Sequence, residues 1–200
     1  MFRLFSVALE TLSAALFLVP LLLFRRQKEP PARRMLILLF SLYAAAVFSV
    51  VGLPGVFSHT LDFSVNWVPF LGGFSAPLAF FQNELLNIVL FIPVGLFAAL
   101  LWPDFRTPRR AALLGLGLSA FIELAQLFTF RLTDIDDLLT NTAGAIIGCL
   151  LARLFIKPAA SAPPTPGGSL RECAALLALT AAVMMLAQPF VADFLWSLVL

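Results

Sequence analysis

Apolar residues occur along the chain in six long runs separated by short polar stretches. A helix that crosses a membrane needs about 20 mostly apolar residues, and the windows of this kind are residues 4–24, 35–52, 83–102, 111–130, 138–156 and 173–192. They lack the strict polar and apolar alternation of a transmembrane β-strand. The pattern therefore predicts an all-α bundle of six membrane-spanning helices, with a core of four formed by spans two to five.

The composition supports a membrane protein. Apolar residues make up 61% of the chain and charged residues 12%, whereas about 25% of a typical soluble chain is charged. The net charge of +2 indicates no basic face for nucleic acid. We predict the lipid bilayer as a partner and no nucleic acid. We predict no cofactor and no metal either, since zinc-ligand spacings and Gly-rich phosphate loops are absent from the sequence.

Positive charges concentrate in the loops that follow the first, third and fifth spans. Short loops rich in Lys and Arg mark the cytoplasmic side of a membrane protein. Eleven of the thirteen Lys and Arg residues fall on that side, namely Arg25, Arg26, Lys28, Arg33, Arg34, Arg106, Arg109, Arg110, Arg153, Lys157 and Arg171. We therefore predict that both termini, the loop 53–82 and the turn 131–137 face the outer side.

Polar residues cluster near the predicted outer ends of the third and fourth spans. The third span carries Asn83, Glu84 and Asn87, and the two asparagines share a helix face. The fourth carries Glu123 and Gln126, again on one face. An acid inside a span costs a few kcal/mol unless it faces a wet cavity or a partner. Glu123 is therefore the strongest single indication of a site.

The fifth span continues this polar face. Thr133 and Asp136 have capping-box spacing, so we predict Thr133 as the helix N-cap. Gly144 and Gly148 form a small-xxx-small pair, which lets a neighbouring helix approach closely. The candidate ligand-binding residues are Asn83, Asn87, Glu123, Gln126, Arg131, Asp134, Asp137 and Asn141. Of these, Glu123 and Asp137 are also the catalytic candidates.

Other polar and aromatic residues have a simpler interpretation. Glu10 in the first span and Asp193 beyond the sixth lie near the outer boundary, where we predict that water hydrates them. Trp67, Trp102 and Trp196 are predicted to anchor the chain at the membrane interfaces, where indole rings are enriched.

Several of these motifs resemble the VanZ-like family of bacterial membrane proteins. Four elements follow the family's order: Asn66-x-x-Pro69-Phe70, the run Asn87-x-x-x-Phe91-x-Pro93-x-Gly95, the pair Glu123-x-x-Gln126, and Arg131 with the polar face of the fifth span. The resemblance covers residues 35–156. It implies a location in the bacterial cytoplasmic (inner) membrane and a role at the cell envelope, since the namesake is associated with low-level resistance to the glycopeptide antibiotic teicoplanin.

The resemblance also suggests how the chain is organised. Residues 1–34 are predicted to form the first helix and a basic cytoplasmic loop, and residues 35–156 the four-helix core. Residues 157–172 form a Pro-rich linker, and residues 173–200 an additional helix.

Three hypotheses about function stay open at this point. The first is an outward-facing pocket that binds or modulates an envelope component, such as an envelope lipid or a glycopeptide-like ligand. The second is an interfacial hydrolase or transferase that uses Glu123 and Asp137. The third is a structural role, in which the charges hold the helices together and an unseen partner carries the function.

Overall fold

The structure is a computed structural model that describes residues 2–56, 65–66, 76–129, 133–156 and 168–199. Its long helices are α1 (Phe2–Arg25), α2 (Pro31–Val51), α3 (Pro77–Leu101), α4 (Pro108–Gln126), α5 (Ile135–Ala152), α6 (Gly168–Ala182) and α7 (Gln188–Val199). A π-helical turn (Val183–Ala187) joins α6 to α7, and a 3₁₀ turn (Pro103–Arg106) lies between α3 and α4. Two short parallel segments, β1 (Val65–Asn66) and β2 (Thr133–Asp134), pair with each other.

Each of the six predicted spans coincides with a helical segment, which confirms the helical bundle. Five helices in the described part of the chain are long and apolar enough to cross a membrane: Arg3–Arg25, Pro31–Val51, Pro77–Leu101, Ile135–Ala152 and Ser169–Leu195. The helix α4 is not one of them, because Arg109, Arg110 and Glu123 lower its hydropathy. The chain is a multi-pass membrane protein.

The helices group into two compact units. The first comprises residues 1–60 and 171–200, and the second residues 61–170. In the first unit α1 packs along α2 and also contacts α7. In the second unit α5 packs most extensively on α3 and also packs on α4. The candidate residues of the third, fourth and fifth predicted spans therefore belong to one unit.

The backbones of α3 and α5 approach closely where α5 carries its glycines. A Cβ atom on Gly144 would lie 2.9 Å from the Phe91 Cβ, and one on Gly148 would lie 2.7 Å from the Leu96 backbone nitrogen. Gly95 on α3 faces Ala145 in the same way. The predicted close approach at Gly144 and Gly148 is confirmed, and it holds α3 and α5 in one register.

Trp102 corrects the prediction of an interfacial anchor. Its side chain is only 1% exposed and is among the largest fully buried side chains. Its ring packs edge-on against that of Phe105, with 6.0 Å between centroids. The 3₁₀ turn after α3 folds Phe105 back onto the indole, so Trp102 is a core residue of the second unit. Trp67 and the Trp196 side chain lie outside the described residues.

Candidate functional site

The close crossing of α3 and α5 brings Asn87 and Asp137 together. The Asn87 Nδ2 donates a hydrogen bond of 2.6 Å to the Asp137 Oδ1. Both side chains are half-buried. A short hydrogen bond to a charged acceptor is roughly twice as strong as one between neutral groups, so this pair joins the polar faces of the two helices.

Glu123 on α4 lies near the same carboxyl group. Its side chain is only 4% exposed, its Oε2 accepts the backbone N–H of Asp134 at 3.1 Å, and the charge of the Asp137 carboxyl group acts on it. The two catalytic candidates therefore lie at the same end of the unit.

Asn141 and Ser119 connect α4 and α5 below this pair. The Asn141 Nδ2 donates to the Ser119 Oγ at 2.9 Å, and the Ser119 hydroxyl donates to the Asp137 backbone carbonyl at 3.2 Å. Both side chains are buried. The Asn141 Oδ1 is also buried and has no hydrogen-bond partner among the described residues. Asn141 therefore offers an unused acceptor in the interior of the site.

Asp134 is the N-cap of α5, which corrects the predicted cap at Thr133. The Asp134 backbone is extended, and its Oδ1 accepts the Asp136 N–H at 3.0 Å. Thr133 instead pairs with Val65 in the short parallel bridge. The capping-box spacing placed the cap one residue too early, because the bridge between β1 and β2 keeps the chain extended through Asp134.

The bridge also brings in Asn66, which was not among the candidate site residues. The Asn66 Nδ2 donates to the Asp134 Oδ2 at 3.1 Å. The signal in the sequence was the element Asn66-x-x-Pro69-Phe70, but nothing in the sequence paired it with Asp134. The hydrogen bonds form two neighbouring groups, and we call them together the polar cluster: Asn66, Asn87, Ser119, Glu123, Asp134, Asp137 and Asn141.

Among the described residues, negative charge dominates this end of the unit. Its carboxyl groups belong to Glu84, Glu123, Asp134, Asp136 and Asp137. The described arginines of the unit are Arg106, Arg109, Arg110 and Arg153, which lie near the start of α4 or the end of α5 and therefore at the other ends of these helices. The cluster suits a ligand that offers hydrogen-bond donors.

The remaining predicted site residues, which are Asn83, Gln126 and Arg131, do not belong to the polar cluster. Asn83 is exposed and makes no side-chain hydrogen bond with another described residue. Gln126, the last residue of α4, is buried at 5% exposure. Arg131, the predicted cation of the site, lies outside the described residues. Within the described ranges, no group of three or more His, Cys, Asp or Glu side chains is arranged to hold a metal ion.

Comparison with known proteins identifies one relationship. The family model described as VanZ/LLP1 matches residues 35–156, which is more than half of the chain and includes every residue of the polar cluster. No curated protein and no solved structure matches the chain.

Proposed function

Since the chain belongs to the VanZ/LLP1 family, we propose that its polar cluster binds the headgroup of a cell-envelope component. The observation that carries this proposal is the buried Glu123 carboxyl group near the Asp137 carboxyl group, which accepts a hydrogen bond from Asn87. Ionisable groups in such surroundings are costly and are typical of functional sites. The headgroup offers hydroxyl, amide or ammonium donors, which the carboxyl and amide oxygens accept.

The proposed pocket faces the outer side of the membrane. Arg106, Arg109, Arg110 and Arg153 lie at the opposite helix ends, which is the arrangement expected when those ends are cytoplasmic. An impermeant thiol reagent tests this on intact cells, because Cys149 and Cys173 are both buried. We expect labelling of Gln82→Cys at the pocket end of α3 and no labelling of Gln27→Cys after α1. The reverse pattern contradicts the orientation.

Binding is tested with the protein in lipid nanodiscs. The probes are a lipid-linked disaccharide-pentapeptide precursor of peptidoglycan and, separately, teicoplanin, with phosphatidylglycerol discs as the blank. We expect saturable binding of at least one probe, weakened about tenfold by Glu123→Gln or Asp137→Asn through loss of a charge-assisted hydrogen bond. Asp104→Asn is the matched control, because Asp104 lies in the 3₁₀ turn away from the cluster.

Two results contradict the binding proposal. One is the absence of saturable binding for both probes. The other is an equal loss of affinity in Asp104→Asn, which would indicate a general effect of charge instead of a contact in the cluster.

A second candidate function is favoured by the proximity of the Glu123 and Asp137 carboxyl groups, of which Glu123 is the more deeply buried. Two nearby carboxyl groups in different surroundings can divide the roles of general acid and general base. An interfacial hydrolase of this kind changes the lipid-linked precursor chemically. Mass spectrometry of the extracted lipid distinguishes the two functions: a new product that Glu123→Gln abolishes indicates catalysis, and an unchanged precursor indicates binding alone.

A further inference from the structure

The first unit contains a cavity of about 340 Å³ at the end where α1 begins and α2 ends. Its polar lining comes from Glu10 on α1, Ser49 on α2, and Gln188 and Asp193 on α7. Phe48 and Met184 contribute to an apolar wall. This cavity is separate from the polar cluster, which belongs entirely to the second unit.

The wall of the cavity depends on a proline. Pro189 has no N–H, so it cannot bond the carbonyl of Met185 as the next turn of an α-helix would. The Val56 N–H donates to that carbonyl instead, at 3.2 Å. The segment after α2 begins at Gly52, whose φ of 73° ends the helix, and the bond from Val56 holds this segment against the last helix. Local π-helical geometry of this kind occurs frequently at functional sites.

The polar groups of the cavity are incompletely matched. Glu10 accepts a hydrogen bond from the Ser49 hydroxyl. Gln188 lines the cavity and is only 6% exposed. Its side chain makes no hydrogen bond with another described residue. In the part of the chain that the structure describes, neither Glu10 nor Asp193 forms an ion pair, and the nearby Arg3 donates to the Val50 carbonyl. The cavity therefore has two carboxyl groups and an amide without a cation.

We propose that this cavity binds a primary alkylammonium group, such as the ethanolamine headgroup of a phospholipid or a free amine. The ammonium N–H groups would donate to Glu10, Asp193 and the Gln188 Oε1, and the attached carbons would pack on Phe48 and Met184. A bare divalent cation fits less well, because Mg²⁺ and Ca²⁺ need about six oxygen ligands. The volume lies within the range of about 300–1,000 Å³ that small-molecule sites occupy.

The test measures lipid retention by the full-length protein in nanodiscs that contain equal amounts of phosphatidylethanolamine and phosphatidylglycerol. The protein is released from the nanodiscs, and native mass spectrometry counts the lipids that it retains. We expect preferential retention of phosphatidylethanolamine, with its affinity lowered about tenfold by Glu10→Gln or Asp193→Asn, since each removes a charged acceptor. Asp104→Asn, a carboxyl group of the second unit, is the matched control and leaves retention unchanged.

The proposal is overturned if the wild type retains the two lipids equally and free ethanolamine does not bind either. It is also overturned if both cavity variants fold and keep the wild-type affinity for phosphatidylethanolamine. A loss of that affinity in Asp104→Asn overturns it as well. Asp193 is exposed, so Asp193→Asn decides the question if Glu10→Gln fails to fold.

A second arm identifies the source of the ammonium group. Free ethanolamine is added to lipid-free protein in detergent, and the unfolding temperature is followed. A rise that Asp193→Asn removes assigns the site to a soluble amine, and retention of phosphatidylethanolamine without such a rise assigns it to the lipid. Both results support an ammonium site, and failure of both overturns it.

Discussion

Glu123 keeps its carboxyl group almost completely buried, near a second carboxyl group on Asp137. Burial of a charged group is unfavourable, and nearby like charges repel. The donors around the pair, which are the Asp134 N–H and the Asn87 amide, offset part of this cost. Functional sites often carry such a cost in stability, which supports the proposed binding site.

The first prediction concerns the stability cost of this pair. Glu123→Gln keeps an oxygen that accepts the Asp134 N–H and removes a buried charge near Asp137. We expect its unfolding temperature in detergent to equal or exceed that of the wild type, by up to a few degrees for about 1 kcal/mol. Circular dichroism melting checks this, with Asp104→Asn as the reference. A loss of many degrees would indicate that the cluster is structural.

The second prediction concerns the cap of α5. Asp134→Ala removes the acceptor of the Asp136 N–H and also the partner of Asn66. We expect a loss of about 1–2 kcal/mol in unfolding free energy, the usual cost of removing a cap. Asn caps helices about as well as Asp, so Asp134→Asn should lose much less. Chemical denaturation of the two variants side by side measures the difference, and equal losses would contradict the capping role.

At the level of elements, the crossing of α3 and α5 determines the geometry of the site. Gly95, Gly144 and Gly148 let the two backbones meet with almost no side chain between them. The same packing of α3 on α5, with Gly144 beside Ile88, brings the Asn87 side chain within hydrogen-bond distance of Asp137. Small-residue packing deep in the unit therefore positions the polar groups at its end.

The third prediction tests this crossing with two glycines. A Cβ at position 148 would collide with backbone atoms of Ile92 and Leu96, whereas a Cβ at position 117 meets nothing within 4 Å. Gly148→Ala should therefore cost about 1–3 kcal/mol, as overpacking usually does. Gly117→Ala should be neutral or stabilising by up to about 1 kcal/mol, because Ala favours a helix over Gly. Denaturation in mixed micelles compares the two, and similar stabilities would rule out the tight crossing.

At the level of the whole molecule, the first unit is assembled from segments far apart in the chain. Glu172 near the start of α6 forms ion pairs with Arg26 after α1 and with Arg33 on α2, the latter at 2.6 Å. Glu29 forms local pairs with the same two arginines. The carboxyl group of Glu172 therefore links the last helical segment to the hairpin of α1 and α2.

The fourth prediction separates the long-range pairs from the local ones. Glu172→Gln leaves two arginines without their distant partner, and we expect a loss of about 1–2 kcal/mol, since hydrogen bonds between charged groups exceed neutral ones. Glu29→Gln removes only pairs three or four residues apart and should cost about 0.5 kcal/mol or less. The gap between the variants should narrow at high salt, because ions screen partly exposed pairs. Equal losses at low salt would contradict the linking role.

The six helical segments could be predicted from the sequence alone, because a bilayer requires apolar segments of a set length and satisfies no backbone hydrogen bonds itself. The shared face of Asp137, Asn141, Gly144 and Gly148 followed from helical periodicity in the same way. Both properties are local, so neighbouring residues determine them.

The tertiary structure decided the contacts between distant segments. Asn66 meets Asp134 only because β1 pairs with β2, and Glu10 shares a cavity with Asp193 only because α1 packs beside the last helix. Trp102 lies at the end of an apolar run, and the sequence does not show whether its ring contacts lipid or packs on Phe105, as it does in the structure. Such contacts depend on how helices pack after they form, and apolar surface packs on many partners with similar energy, so hydrophobic pattern alone does not select among them.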